Sequence, residues 1–293
     1  MRTTFAGFGR LSAFALACVL TLAACQLVRI ADPSPATQLP VRFLISFDDG
    51  PSAARENNST ALILDTLAQN RWQNGIKAIF FVQTRHRNGG GSAHGRQLMQ
   101  RMLGDGHLLG LHTASVRGHI NHTLMPLSEL EGDLEAGIED IRALSGEAPR
   151  FVRPPFWSFN SATLSLYEAH GLSMLLDDIS IRDGKVRGVT SNPNVRERLR
   201  ADLQKAASRI REGGIQALAG YIPLVMTMHD TNPTTARDLE SYLGMLIEEA
   251  HYAGLIVHPQ PFISPGEEVA QVANLRAHRL QLALEIEPTV VPE

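Results

Sequence analysis

Phe43-Leu-Ile-Ser-Phe-Asp-Asp-Gly-Pro-Ser52 is an apolar run closed by two adjacent carboxylates and a Gly-Pro turn. A run of this length bounded by a breaker reads as a buried strand. Side chains alternate along a strand, so Asp48 and Asp49 diverge unless the backbone breaks between them. Such a pair can divide its work, one carboxylate binding a metal and the other handling protons. An Asp-Gly pair alone more commonly marks a plain turn. The rest of the chain decides against the plain turn.

Strand-like runs recur at 41–47, 77–84, 108–113, 150–153, 173–178, 224–229 and 255–258. Between them, helical periodicity covers 60–73, 96–103, 128–144, 161–170, 195–212 and 235–253. Repeated β-α units predict a parallel sheet, either a distorted barrel or a doubly wound sheet. In both, catalytic groups collect at the C-terminal strand ends. Polar residues fall at those ends: Asp48 and Asp49, His112 and Thr113, Arg153, Asp177 and Asp178, and His229 and Asp230. Random placement would not select one rim, so the pattern predicts an enzyme.

The chain ends bound the domain. Arg2 and Arg10 make a positive segment ahead of an apolar stretch, Leu11 to Leu22, that is short for a membrane span. It leads into Leu22-Ala-Ala-Cys25, which resembles a bacterial lipobox with Cys25 as the lipidated first mature residue. An ordinary secretory leader with Cys25 incidental is the alternative. Gln26 in place of Asp points to the outer membrane. Cys18 leaves with the leader, so the mature chain has no cysteine pair and no thiolate for a metal. The expected organisation is a leader over 1–24, a Pro-rich tether over 25–40, a catalytic domain over 41–265 and a helical tail over 266–293.

Residues 1–24 hold two arginines and no acid, so the mature chain sets 25 basic against 30 acidic residues, a net charge of −5. That balance argues against nucleic acid and against docking on anionic lipid, leaving the lipid on Cys25 as the membrane contact. With 6% aromatic residues, a broad aromatic sugar platform is not expected.

Each candidate residue has a plainer reading. His112 closes Leu108-Leu-Gly-Leu-His-Thr113 and could be a satisfied structural histidine. The next loop, however, supplies His119 and His122, and two histidines with Asp49 form an open catalytic metal set suited to Zn²⁺. Arg153-Pro-Pro-Phe-Trp157 could be a rigid loop with a solvated arginine. Its prolines also hold Arg153 ready to pair with a carboxylate, with Phe156 and Trp157 as a pocket wall. His229 beside Asp230 could donate a proton to a leaving group, oriented by Asp178 or Asp183. Asn88-Gly-Gly-Gly-Ser92 lacks a following Lys-Ser/Thr and is not a phosphate loop.

Phe47-Asp-Asp-Gly-Pro51, Lys77-Ala-Ile-Phe-Phe-Val82, Arg153-Pro-Pro-Phe156 and Met228-His229-Asp230 together resemble the motifs of the polysaccharide deacetylases, carbohydrate esterase family 4. The likeness spans about residues 41–262. It implies an α/β fold, a distorted (β/α)7 TIM-like barrel, and metal-dependent removal of acetyl groups from a glycan. Carried over, Asp49, His112 and a second histidine bind Zn²⁺, or another divalent ion such as Co²⁺ or Ni²⁺. Asp48 is the general base, held by Arg153, and His229 is the general acid. Two departures stand out. Family histidines lie four apart, but position 116 is Val, so the second ligand is His119 or His122. His122 is favoured because Met125-Pro-Leu-Ser128 leads into a helix, as the residues after the family's second histidine do. The family's Asp-x-x-Asp-Trp motif is reduced here to Asp177-Asp178.

The expected protein is a monomeric, lipid-anchored deacetylase of an acetylated cell-envelope or extracellular glycan. Its rivals are a small-amide or xylan-type ester hydrolase, and a non-catalytic glycan-binding lipoprotein.

Overall fold

The run ending in Asp48 forms the central strand, β1 (Val41–Asp48), buried along its whole length. A computed structural model describes residues 38–185 and 194–278. The leader, the lipobox cysteine, nearly all of the tether and the end of the helical tail lie outside the described residues. In chain order the elements are β1, α1 (Ser59–Ala68), β2 (Ala78–Gln83), α2 (Ala93–Gly104), β3 (Leu108–Thr113), α3 (Leu127–Ser145), β4 (Phe151–Val152) and α4 (Ser161–Ala169). There follow β5 (Ser173–Met174), β6 (Ile179–Ser180), α5 (Val195–Arg211), β7 (Ile222–His229), α6 (Pro233–Tyr252), β8 (Val257–Phe262) and α7 (Gly266–Arg276).

Among the described residues these strands pair with one another in parallel, in the order β5-β4-β3-β2-β1-β7-β6, with β8 also on β1. The result is a curled parallel sheet wrapped by helices, a half-barrel of the expected (β/α)7 type. Its two edges, β5 and β6, are neighbours in sequence but not paired with each other. Of the run expected as one strand over 173–178, Ser173 and Met174 form β5, and β6 begins only after it, at Ile179. The chain leaves the sheet at Leu175 and rejoins it on the far side, beside β7.

Alternation sorts the two faces. Phe43, Ile45 and Phe47 of β1 join Phe80 and Val82 of β2 in the core under α1 to α6. Leu44, Ile79, Phe81, Phe151 and Val225 face the opposite way and form a second cluster. Val269, Val272 and Ala273 of α7 complete that second cluster. The C-terminal helix is therefore seated on the inner face, and Arg42 ties it down by pairing with Glu268. Helix starts are fixed locally. The Asn58 side chain accepts from Ala61 N, Ser92 accepts from Gly95 N, and Asn160 and Thr163 form a reciprocal capping box.

Candidate active site

Past its apolar stretch, the inward face of β1 continues to Ser46 and Asp48, and these polar positions meet Arg153 just beyond β4. Arg153 is fully buried. Its Nη1 donates to Asp48 Oδ1 at 2.8 Å and to Ser46 Oγ at 2.9 Å, and its Nε donates to the Leu175 carbonyl at 2.9 Å. The guanidinium lies over the Phe81 ring at 4.1 Å and near Trp157 at 5.1 Å. A charge this deep persists only with a hydrogen-bonded partner, and Asp48 is that partner.

Asp49 leaves the strand in the left-handed region, φ 72, which redirects its carboxylate toward the site. Its Oδ1 lies 3.3 Å from His112 Nε2 and 3.7 Å from His119 Nε2, and accepts from Gln83 Nε2 at 2.9 Å. One ligand atom from each of Asp49, His112 and His119 falls within 4.8 Å of the others. The His112 Nδ1–H donates to the Arg153 carbonyl at 2.7 Å, so Nε2 carries the lone pair. That Nε2 is buried and has no hydrogen-bond partner. Burial resists ionisation of Asp49, but the neighbouring imidazoles of His112, His119 and His229 outweigh it and hold the carboxyl well below its usual range. Burial also lowers His119 to about 4, keeping it neutral and available as a ligand. An orphaned buried imidazole nitrogen, a second neutral imidazole and an ionised carboxylate converge on one point, and this donor set fits a divalent cation.

His122, favoured from the sequence, does not belong to this cluster. Its ring is wholly buried, its Nδ1 lies 2.7 Å from the Tyr167 hydroxyl, and burial lowers it to about 3. The reason is local. Ser115-Val-Arg-Gly118 makes a turn, with the Gly118 N–H donating to the Ser115 carbonyl at 3.0 Å and Gly118 at φ 85. The turn reverses the chain and returns the next residue, His119, to His112. Asn121 then caps a one-turn 3-10 helix over 122–124 that points His122 inward against α4. Ser at the first and Gly at the fourth place of a turn was the sequence signal that favours His119. Gln83, not singled out from the sequence, is the polar end of an apolar strand like the others.

His229, at the end of β7, is held by Asp183. Nδ1 lies 2.7 Å from Asp183 Oδ1, and the His229 backbone N–H donates to Oδ2 at 3.0 Å. Burial works against the imidazolium, but Asp183, helped by Asp48 and Asp49, raises it to about 9. Nε2 lies 3.8 Å from Asp49 Oδ2. On that side stands Gly184, where an added Cβ would come 2.6 Å from Nε2. Of the two orienting candidates, Asp183 therefore fills the role. Asp178 accepts instead from Arg209 of α5 at 2.8 Å, Arg276 of α7 at 2.7 Å and the Val225 N–H at 3.0 Å. Asp177 is buried near Arg153, and burial raises it to about 7. Asp230 turns away from the site, accepts from Thr60 at 2.8 Å, and is likewise raised to about 7 by burial.

Residues 39–175 match the family model for polysaccharide deacetylase, a span that includes Asp48, Asp49, His112, His119 and Arg153 but not Asp183 or His229. A chitin deacetylase of Pestalotiopsis is 28% identical over 148 residues, 50% of this chain and 45% of its own. A peptidoglycan-N-acetylglucosamine deacetylase of Bacillus cereus is 31% identical over 112 residues, 38% of this chain and 35% of its own. The chain thus spans less than half the length of these curated relatives. In structure it is similar to the chitin deacetylase of Colletotrichum lindemuthianum, with TM-score 0.56, 21% identity, and 76% of this chain and 86% of the other covered. With those five residues in its matched span, the stretch 39–175 is thus similar to the polysaccharide deacetylases in sequence, and the fold is similar to that of a solved chitin deacetylase.

Proposed function

We propose that this protein is a metal-dependent hydrolase that removes acetyl groups from a cell-envelope or extracellular glycan. The observation that carries the reading is the meeting, at one rim, of a metal-ready triad, a buried Arg-held carboxylate and an Asp-held imidazole. The names of the relatives, which act on chitin and peptidoglycan, support a polymeric N-acetylated substrate.

A divalent ion held by Asp49, His112 and His119 would supply Lewis-acid polarisation of the acetyl carbonyl and would acidify water to a pKa of about 7. Asp48, fixed through one oxygen by Arg153, takes the proton of the attacking water. The turn at Phe156, φ 60, offers its backbone N–H to the acetyl oxygen. His229, charged through Asp183, delivers its Nε2 proton to the departing nitrogen, which is too basic to leave as an anion. The lipobox-like Leu22-Ala-Ala-Cys25 supports a lipid anchor that keeps a monomeric enzyme near its polymer.

The test is acetate release from N-acetylglucosamine oligomers and from acetylated xylan, by zinc-loaded wild type and Asp48→Asn. Release from the former by wild type alone, with equal zinc in both proteins, is the expected result. Equal release by Asp48→Asn would overturn the base assignment, and no release by loaded wild type from either substrate would overturn the reading.

A further inference from the structure

His112 and His119 occupy equivalent places in the cluster but are held differently. His112 has the usual outer support of a metal-binding imidazole, a hydrogen bond from its far nitrogen to a backbone carbonyl. Among the described residues, no group hydrogen-bonds the His119 ring, and about a third of its side chain is exposed. The ring instead packs against two other rings. His112 stacks on it, with centroids 5.0 Å apart and planes 20° apart. Phe156 contacts the ring at 4.2 Å and 32°. Phe156 takes this place at a cost, because it and Trp157 are consecutive non-glycine residues at φ 60 and 59. Burial does not explain that conformation: Phe156 is 56% exposed and belongs to neither core cluster.

We infer that Phe156 is a positioning residue for the metal, clamping His119 by ring stacking in place of the missing outer hydrogen bond. The seven-residue spacing from His112 to His119 makes the clamp necessary. His119 comes from an irregular loop after a turn, so its ring orientation is not fixed by a strand or helix. A ring against its face restricts rotation about the Cβ–Cγ bond and holds Nε2 toward Asp49. The inference rests on the metal reading above and concerns affinity for the ion, independent of turnover.

The experiment measures zinc affinity by chelator competition for the full chain and its Phe156→Ala, Phe156→Leu and Phe156→Tyr variants, with the melting temperature of each metal-free protein. Loss of outer support of this kind weakens metal binding by about 10- to 100-fold. That loss is expected in Phe156→Ala and Phe156→Leu, with Phe156→Tyr at the wild-type value and metal-free melting temperatures little changed. Should Phe156→Ala fail to fold, the pair Leu and Tyr decides. Equal affinity in Leu and Tyr, or wild-type affinity in Ala, overturns the clamp while leaving the metal site standing. Absence of zinc binding by the wild type overturns the metal reading and the clamp together.

Discussion

Replacing Asp183 with Asn removes one charge and leaves a side chain that still accepts a hydrogen bond through its amide oxygen. In the native site the Asp183 carboxylate lies 2.7 Å from His229 Nδ1, and the imidazole is raised from 6.5 to about 9 against the pull of burial. At about 1.4 kcal/mol per tenfold change, that difference corresponds to roughly 3 kcal/mol in favour of the imidazolium. Without the charge, burial dominates and the value returns to 6.5 or below. At about pH 8 the protonated fraction then falls about 30-fold or more, whereas near pH 5.5 most of it survives. The assay is kcat/KM against pH for N-acetylglucosamine oligomers and for an aryl acetate, whose leaving group departs without a proton. The basic limb should move toward acid by about two pH units or more for the amide and stay in place for the aryl ester, with zinc content equal. An unmoved basic limb for the amide, or an equal shift for both substrates, would refute the argument. Stability follows the same linkage. His229 gains its partner on folding, so the contribution is fully present below pH 6.5 and is lost as pH rises through about 9. The melting-temperature gap between wild type and Asp183→Asn should therefore close over that interval.

His119→Ala should lose the zinc, whereas His122→Ala should keep it and lose about 1–3 kcal/mol of stability by opening a buried site beside Tyr167. Metal analysis and denaturant unfolding of both variants check the pair. Gly184→Ala places a methyl 2.6 Å from His229 Nε2. Amide turnover should fall at least tenfold with aryl acetate hydrolysis and zinc content retained, as steady-state kinetics would show. Arg153→Met leaves Asp48 buried and unpaired and should cost about 3–5 kcal/mol in urea unfolding.

Much of this molecule was legible before any coordinates. Strands buried on both faces read as continuous apolar runs, which is why 108–113 and 224–229 fell where β3 and β7 lie. The rim of polar strand ends gave Asp48, Asp49, His112, Arg153 and His229 for the same reason, since each must leave the apolar sheet to be useful. Two readings failed where side-chain periodicity carries no information. The choice of His122 over His119 turned on a reversal whose only trace was Ser115 and Gly118. The single strand at 173–178 failed because the chain crosses from one edge of the sheet to the other in four residues. No local pattern distinguishes that crossing from a strand that continues.

The unpaired edges, β5 and β6, give the half-barrel a direction in which to come apart. Elsewhere the sheet is laced by backbone ladders, densest between β1 and β7, where eight residue pairs are in register. Beside the gap, Asp178 is gripped by Arg209 of α5, Arg276 of α7 and the Val225 N–H, and just past α7 the His278 N–H donates to the Met174 carbonyl of β5 at 2.7 Å. Opening of the native state therefore starts at this seam, and amide protons near it exchange with solvent well before those of β1 and β7. Because Arg276 belongs to the helix that plugs the inner face, the seam and the plug let go together. The polar rim is in this sense latched from below, by the last helix of the described chain.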